Sequence, residues 1–592
     1  MHMILDKINV PNDLSALSYD EMKTLASEIR ELIIRKVNST GGHMGPNLGI
    51  VEATIAMHYV FNAPKDKIIY DVSHQCYPHK ILTGRKEGFT NPEMYNKYTG
   101  YTAPEESEYD LFKVGHTSTS VSLATGVAKA RDLKGEKYNV VALIGDGSLS
   151  GGEALEGLDN AATLGSNIII VVNDNEMSIA ENHGGLYDNL ALLRKTNGTA
   201  ECNFFKSLGF EYHYVEKGND VEALIDTLQT VKWSEHPVVV HIHTQKGCGL
   251  KVAEVKKEAF HWILPGTLDK PDDAPVDFGE SYESLTKDFI LNKMQQGSPV
   301  CAVVAGTPGV FGFDKAYRDK LGKHYTDVGI AEEHAVAYSS AMAKNGAKPV
   351  LNLMSSFVQR TYDQLSQDLC LNSSPATMLI YWGGLSGADA THLCSFDIPL
   401  IANIPNIVYL APTCKEEYLA MLEYAYNQNE RPVAIRVPSC GLISTGVADN
   451  TDYSKLNKFS VAENGEKVAI VGLGNFFGLA KEVKEEIKSR LGINATLINP
   501  KFMTGIDKEL LENLKSNHDI VVTLEDGMLD GGFGEKITRY YGNSKMRVLN
   551  FGGIKEFTDR VPLSELYRRY HLTKELIAGD VENCLKSMLV VQ

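Results

Sequence analysis

No run of about 18 apolar residues occurs anywhere in the sequence, which excludes a helix that crosses a membrane. Cysteine occurs nine times in 592 residues but never as Cys-x-x-Cys, which argues against a disulfide framework or a cysteine zinc site and for a reducing compartment. Positive charge is the scarcer sign: 58 Lys and Arg face 75 Asp and Glu, leaving a formal charge of −17. That balance argues against nucleic acid or an anionic membrane as partner, so an anionic ligand has to be met by donors placed locally. Tandem repeats and low-complexity tracts are absent, which excludes a solenoid. Residues 1 to 12 carry no apolar core behind a basic stretch, so the expected location is the cytoplasm. What remains is a soluble globular chain, 43% apolar and 22% charged, whose expected partners are small molecules.

Apolar runs such as Ile168 to Val172, Val238-Val239-Val240 and Val468 to Val471 alternate with longer helical patterns. Such alternation predicts an α/β fold in which each domain is a mostly parallel sheet flanked by helices. Three blocks are expected: residues 1–265, then 297–442, then 443–592. The Pro- and Asp-rich "PGTLDKPDDAPVDFGESY" reads as part of a surface linker over 266–296. The polar "STGVADNTDYSKLNK" precedes the third block, whose first strand is expected near Val461.

The segment "GDGSLSGG" follows the apolar run Val140 to Ile144. Ser150 and Glu153 have the spacing of a capping box, and Ala154, Leu155, Leu158, Ala161 and Ala162 trace one helical face, with Gly165 as the expected stop. The next run, Ile168 to Val172, ends in Asn173-Asp174-Asn175. In a right-handed βαβ unit the two strands are parallel, so Asp146 and Asn175 project at the same carboxyl edge, where open α/β sheets bind ligands. A carboxylate, a carboxamide and a main-chain carbonyl such as that of Met177 are hard oxygen donors suited to Mg²⁺ carrying a phosphate. Gly145 and Gly147 would let diphosphate oxygens approach the main chain. An isolated Gly-Asp-Gly is ordinarily a turn, and it is the paired Asn-Asp-Asn that favours a ligand site.

This pairing resembles the diphosphate-and-magnesium motif of thiamine-diphosphate enzymes. Such enzymes also carry a glutamate for the cofactor's aminopyrimidine, and "DVGIAEEHAVAY" supplies Glu332 at a helix start after a short strand ending in Asp327-Val328. Phe357 in "SSFVQR" matches the aromatic that stacks on the pyrimidine. The markers "STGGHMGPNLGIVE", "DVSHQCYPHKILTGR", "GHTSTS", "GDGSLSGG", "NDNEMS", "DVGIAEEHAV", "FVQRTYDQ" and "GADATH" together resemble the 1-deoxy-D-xylulose-5-phosphate synthase family. Transketolase shares the overall design but lacks the "HQCYPHKILTGR" run.

The resemblance implies a three-domain transketolase-like homodimer, with the active site between the first and second domains of one subunit. Thiamine diphosphate and Mg²⁺ are the implied cofactors. Glu332 would hand a proton to the aminopyrimidine. His43, His74 and His116, with Ser148 and more weakly Lys246 and His261, would face the diphosphate or the reacting carbons, and Asp389 and His392 the acceptor side. The implied reaction is decarboxylation of pyruvate and addition of the two-carbon unit to glyceraldehyde 3-phosphate, a step towards isoprenoids and thiamine.

The chain departs from this family in two places. It is shorter between "SIAENHGGLYDNLALL" and "FFKSLGFEYHYV", so a mobile segment near the active site is expected to be trimmed. In the acceptor pocket Trp382 and Ser439 stand where the family carries arginines, Met354 stands for a tyrosine, and "GADATH" is one residue short, while Arg360 and Arg436 remain. These changes keep open a related acyloin or ketol transferase with an unphosphorylated or different acceptor. A silent regulatory homologue is disfavoured by the joint presence of Asp146, Asn175, Glu332 and His43. A nicotinamide dehydrogenase is disfavoured because Gly472, Gly474 and Gly478 are spaced one residue too far for Gly-x-Gly-x-x-Gly.

Overall fold

Strands built from Val and Ile on both faces are stable only in a sheet covered by helices on both sides, and the backbone arranges them that way. The computed structural model describes residues 3–270 and 279–590. It forms two compact units, Met1–Val276 with Gly329–Ala331, and Asp277–Val328 with Glu332–Gln592. Among the described residues no helix is long and apolar enough to cross a membrane.

In the first unit β1 (Gly42–His43) pairs antiparallel with β7 (Trp262–Ile263). The remaining strands, β2 (Lys67–Tyr70), β3 (Val140–Gly145), β4 (Ile169–Asp174), β5 (Glu211–Val215) and β6 (Val238–His243), form a parallel sheet in the order β2-β3-β4-β6-β5. Every residue of β4 is buried. The helix Val221–Val231 starts where Asp220 accepts the amide protons of Glu222 and Ala223, and it buries Leu224, Ile225 and Leu228.

The second unit holds two sheets. Strands β8 (Val300–Val304), β9 (Tyr325–Asp327), β10 (Lys348–Met354), β11 (Thr377–Tyr381), β12 (Val408–Leu410) and β13 (Val433–Arg436) are parallel, in the order β12-β13-β11-β10-β8-β9. The order reverses at β8, which opens a crevice between the carboxyl ends of β8 and β10. Strands β14 (Ser460–Glu463), β15 (Lys467–Gly472), β16 (Thr496–Asn499), β17 (His518–Met528) and β18 (Arg547–Gly553) form the other sheet, parallel except for the edge strand β14.

Three local expectations are corrected. The span 266–296 contains the helix Tyr282–Gln295, started by Ser281, and Tyr282 packs its ring against Tyr418 at 5.1 Å, so that helix belongs to the core of the second unit; residues 271–278 lie outside the described residues. The Ser150–Glu153 capping box does not form. The helix is Gly152–Ala162 with Gly151 at its start, because Ser150 Oγ instead donates to the Gly147 carbonyl and accepts from the Ile330 amide. The helix also stops at Ala162, and Gly165 takes its positive φ in the following loop.

Arg436 is the electrostatic centre of the second unit. Its guanidinium is 3% exposed and donates to Asp397 Oδ2 at 2.7 Å, to Asp397 Oδ1 at 3.1 Å and to Asp526 on β17. Tyr409 also donates to Asp397, at 2.5 Å, and Asn475 to Asp526, at 2.7 Å. A buried charge left without its partner costs about 3–5 kcal/mol. Arg436→Leu strands two buried carboxylates, so the unfolding transition of the second unit is expected to fall by about that amount in urea denaturation. A loss below about 1 kcal/mol would mean that water reaches the cluster.

Candidate active site

At the carboxyl edge of the first unit, β3 and β4 pair so that Gly145 lies opposite Asn173, and the Asp146 amide donates to the Asn173 carbonyl at 3.0 Å. Asp146 and Asn175 therefore leave the sheet side by side. Asp146 is 1% exposed, and burial followed by the neighbouring charge of Asp174 pushes its carboxyl well above the usual carboxylate range. Burial would raise Asp174 too, but His241 Nε2 at 2.9 Å and Arg194 at 2.5 Å hold it down. Asn175 Oδ1 is buried and has no hydrogen-bond partner among the described residues.

A carboxyl short of positive charge beside an unpartnered amide oxygen is the donor set that a hard divalent cation completes. The residues present fit such an ion. Among the described residues no group of three or more His, Cys, Asp or Glu side chains is placed to hold a metal ion. Space beside Gly145 is open, since an added Cβ would touch nothing within 4 Å. Gly147 is different: a Cβ there would lie 2.9 Å from the Ser178 Cα, so the close packing of two loops itself requires a glycine.

The histidines expected from the sequence fall into two sets. His43, His74 and His261 form a triangle with ring centroids 5.1, 5.5 and 5.4 Å apart. Asn47, fully buried, ties two of them by donating to the His43 and His74 carbonyls at 2.9 and 2.8 Å. Burial, then Lys246, His74 and His43, push His261 well below the usual imidazole range and keep it neutral. Lys246 donates to the Ser178 carbonyl at 2.5 Å, and burial brings its ammonium down to about 7.

His116 lies in the loop before the helix Ser120–Lys134. That loop is shaped by buried Asp71, which accepts the Ser118 and Ser120 amides at 2.9 and 3.0 Å. Ser148 lends its carbonyl to Ser118 Oγ at 2.8 Å and its hydroxyl to Asp71, so its side chain braces the loop. Much of the "HQCYPHKILTGR" run is likewise a brace: His79 and Arg85 grip Asp110, Lys80 grips Glu106, and His58 stacks on His79.

In the second unit Glu332 opens the helix Glu332–Lys344 beside the crevice where the strand order reverses. It is 2% exposed, and burial raises its carboxyl against the opposing pull of Arg360, whose Nη1 lies 3.5 Å from Oε2. Phe357 follows β10 with its ring 6.0 Å from that of His392. Thr391 hydrogen-bonds both Asp389 Oδ1 and His392 Nδ1. Burial would raise Asp389, but His392 and Thr391 hold its carboxyl down to about 2.

Two residues expected in the acceptor pocket are placed elsewhere. Met354 is 5% exposed and packs in the core with Tyr381 and Phe311, because it ends β10 on the face turned to that core. Arg436 is enclosed by Asp397 and Asp526. Trp382 does stand at the carboxyl edge, 48% exposed and with φ +62. Ser439 is exposed, its hydroxyl reaching the Gly383 carbonyl at 3.3 Å. Gly472, which ends β15, is required by packing, since a Cβ there would lie 2.5 Å from the Ala480 Cβ, and Gly474 takes a positive φ.

Residues 5–202 and 196–244 match the family model described as 1-deoxy-D-xylulose-5-phosphate synthase. Residues 285–440 match the transketolase pyrimidine binding domain, and residues 457–577 the transketolase C-terminal domain. A protein of Clostridium botulinum named 1-deoxy-D-xylulose-5-phosphate synthase is 37% identical, over 98% of this chain and 99% of its own. One from Caldanaerobacter subterraneus with the same name is 36% identical, over 99% of this chain and 100% of its own. The chain belongs to the 1-deoxy-D-xylulose-5-phosphate synthase family. It is a thiamine-diphosphate-dependent transferase of transketolase-like architecture. The solved transketolase from Leishmania mexicana covers 96% of this chain and 98% of its own at 14% identity, with a TM-score of 0.44, a likeness too loose to carry an argument.

Sequence reasoning missed Asn47, Asp71, Asp174, Asn182 and Arg194 around this synthase-family site. Only Asp174 carried a signal, its place between the two asparagines. One solution property follows from the buried imidazoles. His58, His79 and His261 are all held below their usual range by burial, so the fold keeps them neutral while the unfolded chain takes up protons below about pH 6.5. Stability is therefore present above that pH and lost as pH falls through it, by up to about 1.4 kcal/mol per pH unit for each histidine. Urea midpoints measured from pH 8 to pH 5 check this, and a flat profile would show that these rings protonate inside the fold.

Proposed function

We propose that the chain decarboxylates pyruvate and joins the remaining two-carbon unit to an aldehyde, using thiamine diphosphate and Mg²⁺, as its relatives' name implies. The observation that carries this reading is Glu332, a carboxyl kept buried and raised at the crevice where the strand order reverses. The bound cofactor supplies a nucleophilic thiazolium carbon. In the balance, the bond between the pyruvate carbonyl carbon and its carboxylate breaks to release CO₂. A bond from that carbonyl carbon to the aldehyde carbon forms, and one proton ends on the new hydroxyl.

The chain's own residues divide the remaining work. Asp146, Asn175 and the Met177 carbonyl hold the cation, and Lys246 neutralises phosphate charge. Glu332 holds a proton for the aminopyrimidine, with Phe357 offering a stacking face. His43 and His74 supply imidazoles for proton movement near the diphosphate, with the neutral His261 packed against both rings. Asp389 orients His392 on the acceptor side. A cytoplasmic homodimer completes the reading, supported by membership of the family alone.

A second reading of the acceptor is favoured by the pairing of three cations of the second unit. Arg360 lies on Glu332, Arg436 is enclosed by Asp397 and Asp526, and Lys415 pairs with Glu280 at 2.5 Å. Trp382 stands half-exposed at the carboxyl end of β11. Phosphate recognition relies on charge-assisted donors, whereas an indole favours an uncharged or aromatic end.

Mg²⁺ and thiamine diphosphate together are expected to raise the melting temperature, because a ligand at 100 times its Kd stabilises by about 2.7 kcal/mol. Asp146→Ala should abolish the shift, and an unshifted wild-type melting curve at millimolar cofactor and metal overturns the cofactor assignment. Glu332→Gln should keep the shift but lose pyruvate turnover, and wild-type hydrogen exchange at the thiazolium carbon in that variant would remove the role given to Glu332. In a product assay, preference for glyceraldehyde 3-phosphate over uncharged aldehydes selects the first acceptor and the reverse order selects the second. In the second case Trp382→Arg with Ser439→Arg should improve use of the phosphorylated aldehyde by about tenfold or more.

A further inference from the structure

The segment from Ser178 to Lys195 lies against both loops of the cation site. Met177 and Glu181 form an isolated bridge that turns the chain back on itself, and the helix Gly185–Lys195 follows. Four side-chain contacts fasten it. Asn182 Nδ2 donates to Asp146 Oδ2 at 2.8 Å, and Tyr187 OH lies 3.2 Å from both the Asp146 and the Gly147 carbonyls. Arg194 pairs with Asp174 at 2.5 Å, and Lys246 reaches the Ser178 carbonyl.

Asn182 is the unusual member. Its amide nitrogen is used, but its Oδ1 is buried without a hydrogen-bond partner among the described residues, as is Asn175 Oδ1. Asn182 thus carries an unpartnered buried amide oxygen on the same side chain that grips the buried Asp146 carboxyl, and Asn175 carries another at the end of the neighbouring strand. A hydrated divalent cation provides the missing partner, because water bound to such an ion donates strongly while the ion itself takes the carboxylate and a neutral oxygen.

We propose that Asn182 is a further residue of the cation site: its amide nitrogen fixes one Asp146 oxygen, and its amide oxygen accepts a hydrogen bond from the hydrated cation. The segment that carries it thereby becomes part of the site, with Tyr187 as a positioning residue through the Asp146 and Gly147 carbonyls. This inference rests on the cation reading above but not on the identity of the acceptor.

The test is an Mg²⁺ titration of the full chain at saturating thiamine diphosphate, read by melting temperature rather than turnover. Asn182→Ala is expected to raise the half-saturating Mg²⁺ concentration about 10–100-fold, the usual effect of removing a partner behind the direct ligands. Asn182→Asp, which cannot donate to Asp146 but offers an anionic oxygen, is expected to melt lower without metal and to recover Mg²⁺ affinity to within about threefold of wild type. Asn189 sits in the same segment but serves the Cys202 carbonyl and the Phe204 amide, so Asn189→Ala is the control and should leave the Mg²⁺ midpoint in place. The proposal is overturned if Asn182→Ala binds Mg²⁺ like the wild type, if Asn182→Asp is as weak as Asn182→Ala, or if Asn189→Ala is equally weakened. A wild-type chain that does not respond to Mg²⁺ at all overturns the cation reading itself.

Discussion

The first unit is organised by the parallel pairing of β3 with β4, which delivers Asp146 and the Asn173-Asp174-Asn175 run to one edge and encloses them there. Two carboxyls buried side by side cannot both stay ionised without compensation. Arg194 and His241 hydrogen-bond Asp174 directly, whereas among the described residues Asp146 accepts from the neutral Asn182 and feels Lys246 only as a nearby charge. That asymmetry makes one aspartate a brace and leaves the other a raised, buried carboxyl, the one proposed above for the cation. The surrounding contacts, from Asn182 and Tyr187 to Lys246, follow from the need to hold such a poorly satisfied group in place.

The second unit solves the same problem several times with different outcomes. Asp397 and Asp526 are neutralised by one arginine and become structural, tying the strand end at Arg436 to β17. Asp389 is held ionised by its neighbours His392 and Thr391. At Glu332 the guanidinium of Arg360 is too distant, at 3.5 Å, to outweigh burial, and the carboxyl is raised. Chemically distinct carboxyls thus arise from one residue type through the distance and number of their partners. The left-handed backbone at Trp382 belongs to this balance. Added Cβ atoms on Gly383 and Gly384 would lie 2.5 Å from Arg436 and 2.6 Å from Asp526, so the chain is drawn down onto the charge cluster and the indole is turned outward.

Much of the architecture was legible in the sequence because its signals are local. Runs of Val and Ile marked β3, β4, β6 and β15, and the loops after them marked Asp146 and Asn175. Glu332 was legible through its short strand and helix start. The failures share a physical origin. Ser150 had the spacing of a cap, but its hydroxyl is engaged by the Gly147 carbonyl and by the Ile330 amide, a partner remote in the chain. Arg436 and Met354 sit at strand ends where one residue of rotation separates a pocket from a core, and their partners lie on other strands and in the other sheet of the unit. Asn47 and Asn182 carry no pattern at all, since an asparagine that bridges two distant carbonyls looks in sequence like any loop asparagine.

The sequence alone therefore determined the elements, their parallel pairing and the identity of the groups placed at the strand ends, because hydrophobic periodicity and chain connectivity act over short distances. Only the tertiary structure decided which carboxyls are ionised, which arginine is enclosed and which histidine is neutral. Those states depend on burial and on charges brought within a few ångströms from residues remote in the chain, and neither quantity exists until the sheets have closed over them.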